Sequence, residues 1–147
     1  MTVNDTLRTG LIGWPVEHSV SPAMHNAAFA ALGIAGRYEL LPTPLADLPQ
    51  RVASLRRDGF RGVNVTVPHK QAIIAALEGV TDAARAIGAV NTLLDRGGRW
   101  IGDNTDGNGF LAALQDAGFA PADKHALVLG AGGAARAVAY TLSQACC

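Results

Sequence analysis

The sequence predicts an α/β domain built on a mostly parallel sheet, followed by the opening strand, glycine loop and helix of a second unit. Three observations carry this. Short apolar runs alternate with helical patterns through the first 120 residues. Helix-start and helix-stop residues punctuate the intervals between them. Near the C-terminus a fresh apolar run meets a glycine-rich turn and one more helical pattern. The predicted division is residues 1–120 for the first domain, ending in a linker helix, and 121–147 for the incomplete second unit.

Gly10-Leu11-Ile12-Gly13 reads as the first strand. Ser21 followed by Pro22 signals a helix cap and first turn, with the helix running to Leu32 and Gly33 as its stop. Tyr38 to Leu41 forms a second strand, and a helix carrying Leu48, Val52 and Leu55 on one face ends at Asp58-Gly59. Gly62 to Val67 alternates strictly, which sets Val63, Val65 and Val67 on one face and Asn64 and Thr66 on the other. Pro68 opens a helix that buries Ile73 and Leu77 and stops near Gly79. A shorter helix, capped by Thr81 and closed by Gly88, leads to the strand Ala89 to Leu94. Asp95-Arg96-Gly97-Gly98 is a turn from which Arg99 to Gly102 pairs back antiparallel. The polar loop Asp103 to Gly109 precedes a helix through Gln115, Pro121 marks a boundary, and Ala126 to Leu129 begins the second unit.

Composition narrows the function. Hydrophobic residues make up 49% of the 147 and charged residues 16%, enough for a packed core. The 12 basic and 12 acidic residues are scattered, so no basic stripe exists to hold a phosphate backbone, and no nucleic-acid partner is expected. No secretory leader is visible at Met1 to Asp5, and no apolar stretch reaches membrane-spanning length. Cys146 and Cys147 are adjacent and form no disulfide framework, so a reducing, cytoplasmic setting is expected.

Four segments could carry chemistry. In His18-Ser19-Val20-Ser21-Pro22 two hydroxyls meet a helix start, where free N–H groups favour an anion; the alternative is a plain cap at Ser21. His18 and His25 lack further ligands at metal spacing, and no metal is expected. Asn64-Val65-Thr66-Val67-Pro68-His69-Lys70 presents Asn64 and Thr66 and then puts Lys70 in a helical first turn. There it opposes the dipole at a cost of about 0.3–1 kcal/mol, and its pKa is drawn toward proton transfer; a solvated surface lysine is the alternative. The loop Gly102 to Gly109 mimics a calcium loop at Asn104, Asp106, Asn108 and Gly109, but position one is a neutral amide and position twelve is Gln115, so calcium is rejected. Asp106 could instead pair with Lys70 and orient a hydroxyl. Finally, Gly130-Ala131-Gly132-Gly133-Ala134-Ala135 fits G-x-G-x-x-G/A between an apolar run and the helical run Ala134 to Gln144. That is the context of a Rossmann-type dinucleotide turn.

Taken together and in order, these segments resemble the shikimate dehydrogenases, over essentially all of the chain from Leu11 onward. The matching stretches are Ile12-Gly13-Trp14-Pro15, His18 to Pro22, Asn64 to Lys70, Gly88-Ala89-Val90-Asn91-Thr92, Gly102 to Gly107 and Gly130 to Ala134. The resemblance implies a twisted, mainly parallel substrate domain, a following Rossmann domain and a site in the cleft between them. It implies that Ser19 and Ser21 bind a carboxylate, that Thr66, Asn91 and Asp106 contact ring hydroxyls, and that Asn64 lies close by. Lys70 matches the proton-transfer lysine and Asp106 its partner. Gly130, Ala131, Gly132, Gly133 and Ala134 match the cofactor turn, and Asp82 an acidic position near the nicotinamide. The implied reaction is NADPH-dependent reduction of 3-dehydroshikimate to shikimate, with NAD and a quinate/shikimate activity as alternatives.

The second unit holds only one strand and one helix of a Rossmann domain, and the ending Gln144 to Cys147 reads as that of a fragment or truncated product. The 147 residues alone are therefore expected to be inactive or only a substrate-binding module. Their open strand edges and uncovered helix invite self-association, a homodimer included.

Overall fold

A computed structural model of the chain describes residues 6–145. Met1 to Asp5, read above for a leader, and Cys146 and Cys147 lie outside the described residues. The elements are β1 (Leu7–Gly13), α1 (Ser21–Ala31), β2 (Gly36–Pro42), α2 (Leu48–Leu55), β3 (Phe60–Val65), β4 (Gly79–Val80), α3 (Asp82–Ile87), β5 (Thr92–Asp95), β6 (Trp100–Asp103), α4 (Asp106–Asp116) and α5 (Gly133–Gln144).

Among the described residues the strands form a single six-stranded sheet in the order β2-β1-β3-β5-β6-β4. β1 pairs in parallel with β2 and β3, β4 pairs in parallel with β6, and β5 is antiparallel to both β3 and β6. β5 alone is reversed, because the Asp95–Gly98 turn folds β6 straight back onto it. The mainly parallel sheet expected from the alternation of strands and helices is therefore present.

Strand alternation divides the core between two faces. Ile12, Val63, Val65 and Leu93 pack with Leu48, Val52 and Leu55 of α2. Their neighbours Leu11 and Tyr38 turn to the opposite face, against Phe29 of α1. Three leucine- and valine-bearing positions at helical spacing give α2 its buried stripe, as the sequence indicates. A third cluster joins Ile87 and Ala89 to Ala137 and Tyr140, which seats α5 against the end of α3 and the approach to β5. Gly107 of α4 lies directly against Thr141 of α5, leaving no room for a β-carbon there.

Several expectations need correction. Pro68 opens no α-helix: residues 67–71 form turns, Val67–Pro68 is cis, and a 3-10 segment, Ala72–Ala76, follows. Ile73 is fully buried as expected, and Leu77 partly so. Because β3 stops at Val65, Val67 leaves the buried face and stands 69% exposed. Gly79–Val80, read as the end of a helix, pairs with β6 as a short strand. The helix expected after Gly109 begins four residues earlier, at Asp106. Ala126 to Leu129 is not a strand, and Leu127 and Leu129 are each 86% exposed. A strand exists through its neighbours, and this segment finds none among the described residues. Among the same residues no helix is long and apolar enough to cross a membrane.

Candidate active site

The turn after β3 and the start of α4 converge on one ion pair. Lys70 Nζ donates to Asp106 Oδ2 at 2.6 Å, with side-chain exposures of 17% and 26%. The Lys70 carbonyl accepts from Val90 N at 2.7 Å, so the turn is clamped to the approach of β5. His69, beside it, is fully buried, and its Nε2 lies 2.7 Å from the Thr43 carbonyl. The helix dipole expected to act on Lys70 through its own segment is absent, since that segment is a turn. Two α-helix starts flank the lysine instead: that of α4, which holds the acid, and that of α5 at Gly133. Asp106 occupies the first turn of α4, where a carboxylate is favoured by the unpaired N–H groups.

Asn91 fastens this acid. Its Nδ2 donates to Asp106 Oδ1 at 2.8 Å and to Thr105 Oγ1 at 2.9 Å. Its Oδ1 accepts from Thr105 N at 3.0 Å and from Thr92 Oγ1 at 2.9 Å. Both amide hydrogens are thus engaged with the start of α4. The buried Asn104 completes the support, donating to the Ala89 carbonyl at 2.9 Å and accepting from Asp106 N at 3.0 Å.

The serines occupy the entry to α1. Ser21 is the first helical residue and not a cap; the cap position is Val20, and no side-chain cap bond is made. The plain-cap alternative therefore falls. Ser19 Oγ accepts from Ser21 N at 3.2 Å and donates to Ser21 Oγ at 3.0 Å, so the two hydroxyls share one spot. Asn64 lies on the α1 face of β3 and accepts from the Tyr38 hydroxyl at 2.8 Å. Its Nδ2 faces the Asn91 carbonyl at 3.5 Å and Thr92 Oγ1 at 3.4 Å. Hydrogen bonds thus link Asn64 through Thr92 and Asn91 to Asp106 and Lys70.

A cleft of about 250 Å³ places Thr66, Lys70 and Gln71 opposite Gly132, Gly133 and Ala134. A β-carbon on Gly133 would meet the Lys70 stem at 3.0 Å, so the glycine turn and the lysine are in direct contact. Gly130 has φ 113°, open only to glycine, and Gly132 leads α5 with open space beside it and no side-chain cap. The Ala131 carbonyl accepts from Arg136 Nε at 3.3 Å. Uncapped N–H groups and room for close approach suit the pyrophosphate of a dinucleotide. Asp82 is the exception. It stands exposed in the first turn of α3 and joins none of these hydrogen bonds.

Sequence reasoning did not single out Tyr38, Thr92, Thr105 or Asn104 as site residues. Thr92 and Thr105 were signalled by adjacency to Asn91 and Asp106. Tyr38 carried a weaker signal, a tyrosine in a strand whose hydroxyl needs a partner once buried.

Comparison with known proteins agrees with this geometry. Residues 11–93 match the family described as shikimate dehydrogenase substrate binding domain. A shikimate dehydrogenase (NADP(+)) of Symbiobacterium thermophilum is 54% identical over 136 residues, covering 92% of this chain and 46% of the relative. The crystal structure of the Thermus thermophilus shikimate 5-dehydrogenase in complex with NADP(H) and shikimate superposes with a TM-score of 0.88 at 52% identity. That match covers 95% of this chain and 52% of that one. A ligand-free 5-ketofructose reductase of Gluconobacter sp. strain CHM43 superposes with a TM-score of 0.86 at 38% identity, over 96% of this chain and 50% of that one. The chain spans about half the length of the curated relatives it matches. Its matched residues and its fold place it in one family: the chain belongs to the shikimate dehydrogenases, through their substrate-binding domain.

Proposed function

We propose that this chain carries the acid-binding and proton-transfer half of an NADP-dependent dehydrogenase that interconverts 3-dehydroshikimate and shikimate. The observation that carries the reading is the Lys70–Asp106 pair, 2.6 Å apart, in a group that reaches Asn64 and in contact with the glycine turn. Ser19 and Ser21 hold the carboxylate at the uncapped start of α1. Thr66, Asn64, Asn91 and Asp106 hold ring hydroxyls. The dinucleotide, held at its pyrophosphate by the turn Gly130 to Ala134, supplies the hydride when bound.

The chain's own residues handle the proton. Reduction of a ketone leaves an alkoxide unless a proton reaches the oxygen, and Lys70 gives one from Nζ; in the reverse direction it takes the proton back. Asp106 accepts from Lys70 through one oxygen and from Asn91 through the other, which fixes the direction in which Nζ is offered. The substrate is a small molecule, and neither nucleic acid nor membrane enters this function. The 147 residues alone are expected to bind the acid and turn over little, because residues 126–129 form no strand to build a cofactor sheet upon.

The neighbouring 5-ketofructose reductase marks a second reading, a polyhydroxy ketone without a carboxylate. Such a ligand would leave Ser19 and Ser21 without an anion, and the paired serines therefore favour the acid; quinate shares that carboxylate. A chimera tests the function: this chain through Ala145, continued with the remaining half of the Thermus relative. It should oxidise shikimate with NADP⁺, and slowly or not at all reduce 5-ketofructose. A folded chimera that binds NADP⁺ yet leaves shikimate unchanged contradicts the proposal.

A further inference from the structure

Asn64 and Asn91 differ in what they can still offer. The amide nitrogen of Asn91 is committed at 2.8 and 2.9 Å. That of Asn64 reaches its partners only at 3.4 and 3.5 Å, the long limit for such bonds. A ring hydroxyl arriving at the site therefore finds its readiest amide donor at Asn64. The orientation of that amide follows from its neighbours. The Asn91 carbonyl can only accept, so the Asn64 atom facing it is nitrogen, and the atom facing Tyr38 is oxygen. An amide oxygen can only accept, so the Tyr38 hydroxyl donates, at 2.8 Å.

We propose that Tyr38 is a positioning residue of the acid site: its hydroxyl locks the Asn64 amide with the nitrogen turned toward the bound ring. The inference rests on the acid-site reading above. Tyr38 is built for the task. It pairs with Thr9 of β1, while Asn64 pairs with Leu11, so the phenol reaches across β1 along one face of the sheet. Its backbone is gripped from α1 by Asn26, which accepts from Tyr38 N at 2.8 Å and donates to Tyr38 O at 3.1 Å. The His25 ring stacks on it at 4.2 Å and 8°. Burial pushes the phenol up to about 12, with the Ser21 hydroxyl pulling the other way, so the group keeps its proton through the neutral range.

The test is a shikimate titration of the 147-residue chain, of Tyr38→Phe, of Asn64→Ala and of the double variant. Removing the hydroxyl should weaken binding roughly three- to tenfold, the usual effect of one neutral hydrogen bond. The loss in the double variant should fall well short of the sum of the two single losses, because Tyr38 acts mainly through that amide. Wild-type affinity in Tyr38→Phe, or a loss that adds in full to that of Asn64→Ala, overturns the inference and leaves the acid site standing. No saturation of the unsubstituted chain overturns both. Should Tyr38→Phe fail to fold, the Asn64 side-chain NH₂ resonances of the unsubstituted chain decide. They should shift on saturation with shikimate, and unmoved resonances overturn the inference.

Discussion

Lys70 Nζ and Asp106 Oδ2 stand 2.6 Å apart although 36 positions separate them in the chain. The contact exists because two folding events coincide. The turn leaving β3 is tied to the approach of β5 by the Lys70 carbonyl and Val90 N, and the start of α4 is tied to the same approach by Asn91 and Asn104. In the proposed function a lysine and an acid so placed divide the work: one moves a proton, the other aims it.

Lys70→Ala, made in the chimera with the Thermus half, should lower kcat by roughly 10²–10⁴ with little change in shikimate KM. Steady-state kinetics separate the two parameters. A rise in KM at unchanged kcat would make Lys70 a binding residue and remove the proton-transfer role.

The serine pair should behave in the opposite sense. Ser19→Ala with Ser21→Ala removes two hydroxyls from the anion, and hydrogen bonds to charged groups contribute about 1.5–3 kcal/mol each. Shikimate KM should therefore rise by roughly a hundredfold or more while kcat holds. An unchanged KM would take the carboxylate away from the start of α1.

Tyr38 should be visible in the alkaline unfolding of the chain. Its folded value of about 12 lies above the ordinary 10.0 that the unfolded chain restores. The unfolded state then loses its proton first as pH rises. The contribution is full below about pH 10 and is lost between about pH 10 and 12, at up to about 1.4 kcal/mol per pH unit. Denaturant midpoints across that window should fall less steeply in Tyr38→Phe than in the unsubstituted chain. Identical slopes would show that the phenol is not buried as described.

What the sequence revealed depended on how local the cause was. Thr81 caps α3 by accepting from Ala84 N at 3.2 Å, and Gly88 closes it at φ 68°; both were readable because a cap and a stop act within a few residues. The alternation at Val63 and Val65 likewise survives intact. Pro68 misled because a proline at a helix start and a proline in a turn look alike, and only tertiary contacts to Thr43 and Val90 show that this one enters a turn. Gly79–Val80 became a strand through β6 alone, and Ala126 to Leu129 failed to become one for want of a neighbour. The site followed the same rule. Lys70 and Asp106 were legible from residue type and motif order, whereas Tyr38 meets Asn64 only once β1 lies between their strands. Asn91, expected as a ligand contact, also fastens Asp106 and Thr105 through its amide nitrogen, a second task that no spacing reveals.

The measurement that bears most directly on the acid site is a nitrogen-15 NMR titration of the 147-residue chain with shikimate. The backbone amides of Ser19 and Ser21 and the side-chain amides of Asn64 and Asn91 should shift together and saturate with a single Kd. Absence of saturable shifts, or shifts confined to the groove of Thr43, Arg51 and Asp58 beside α2, would contradict it.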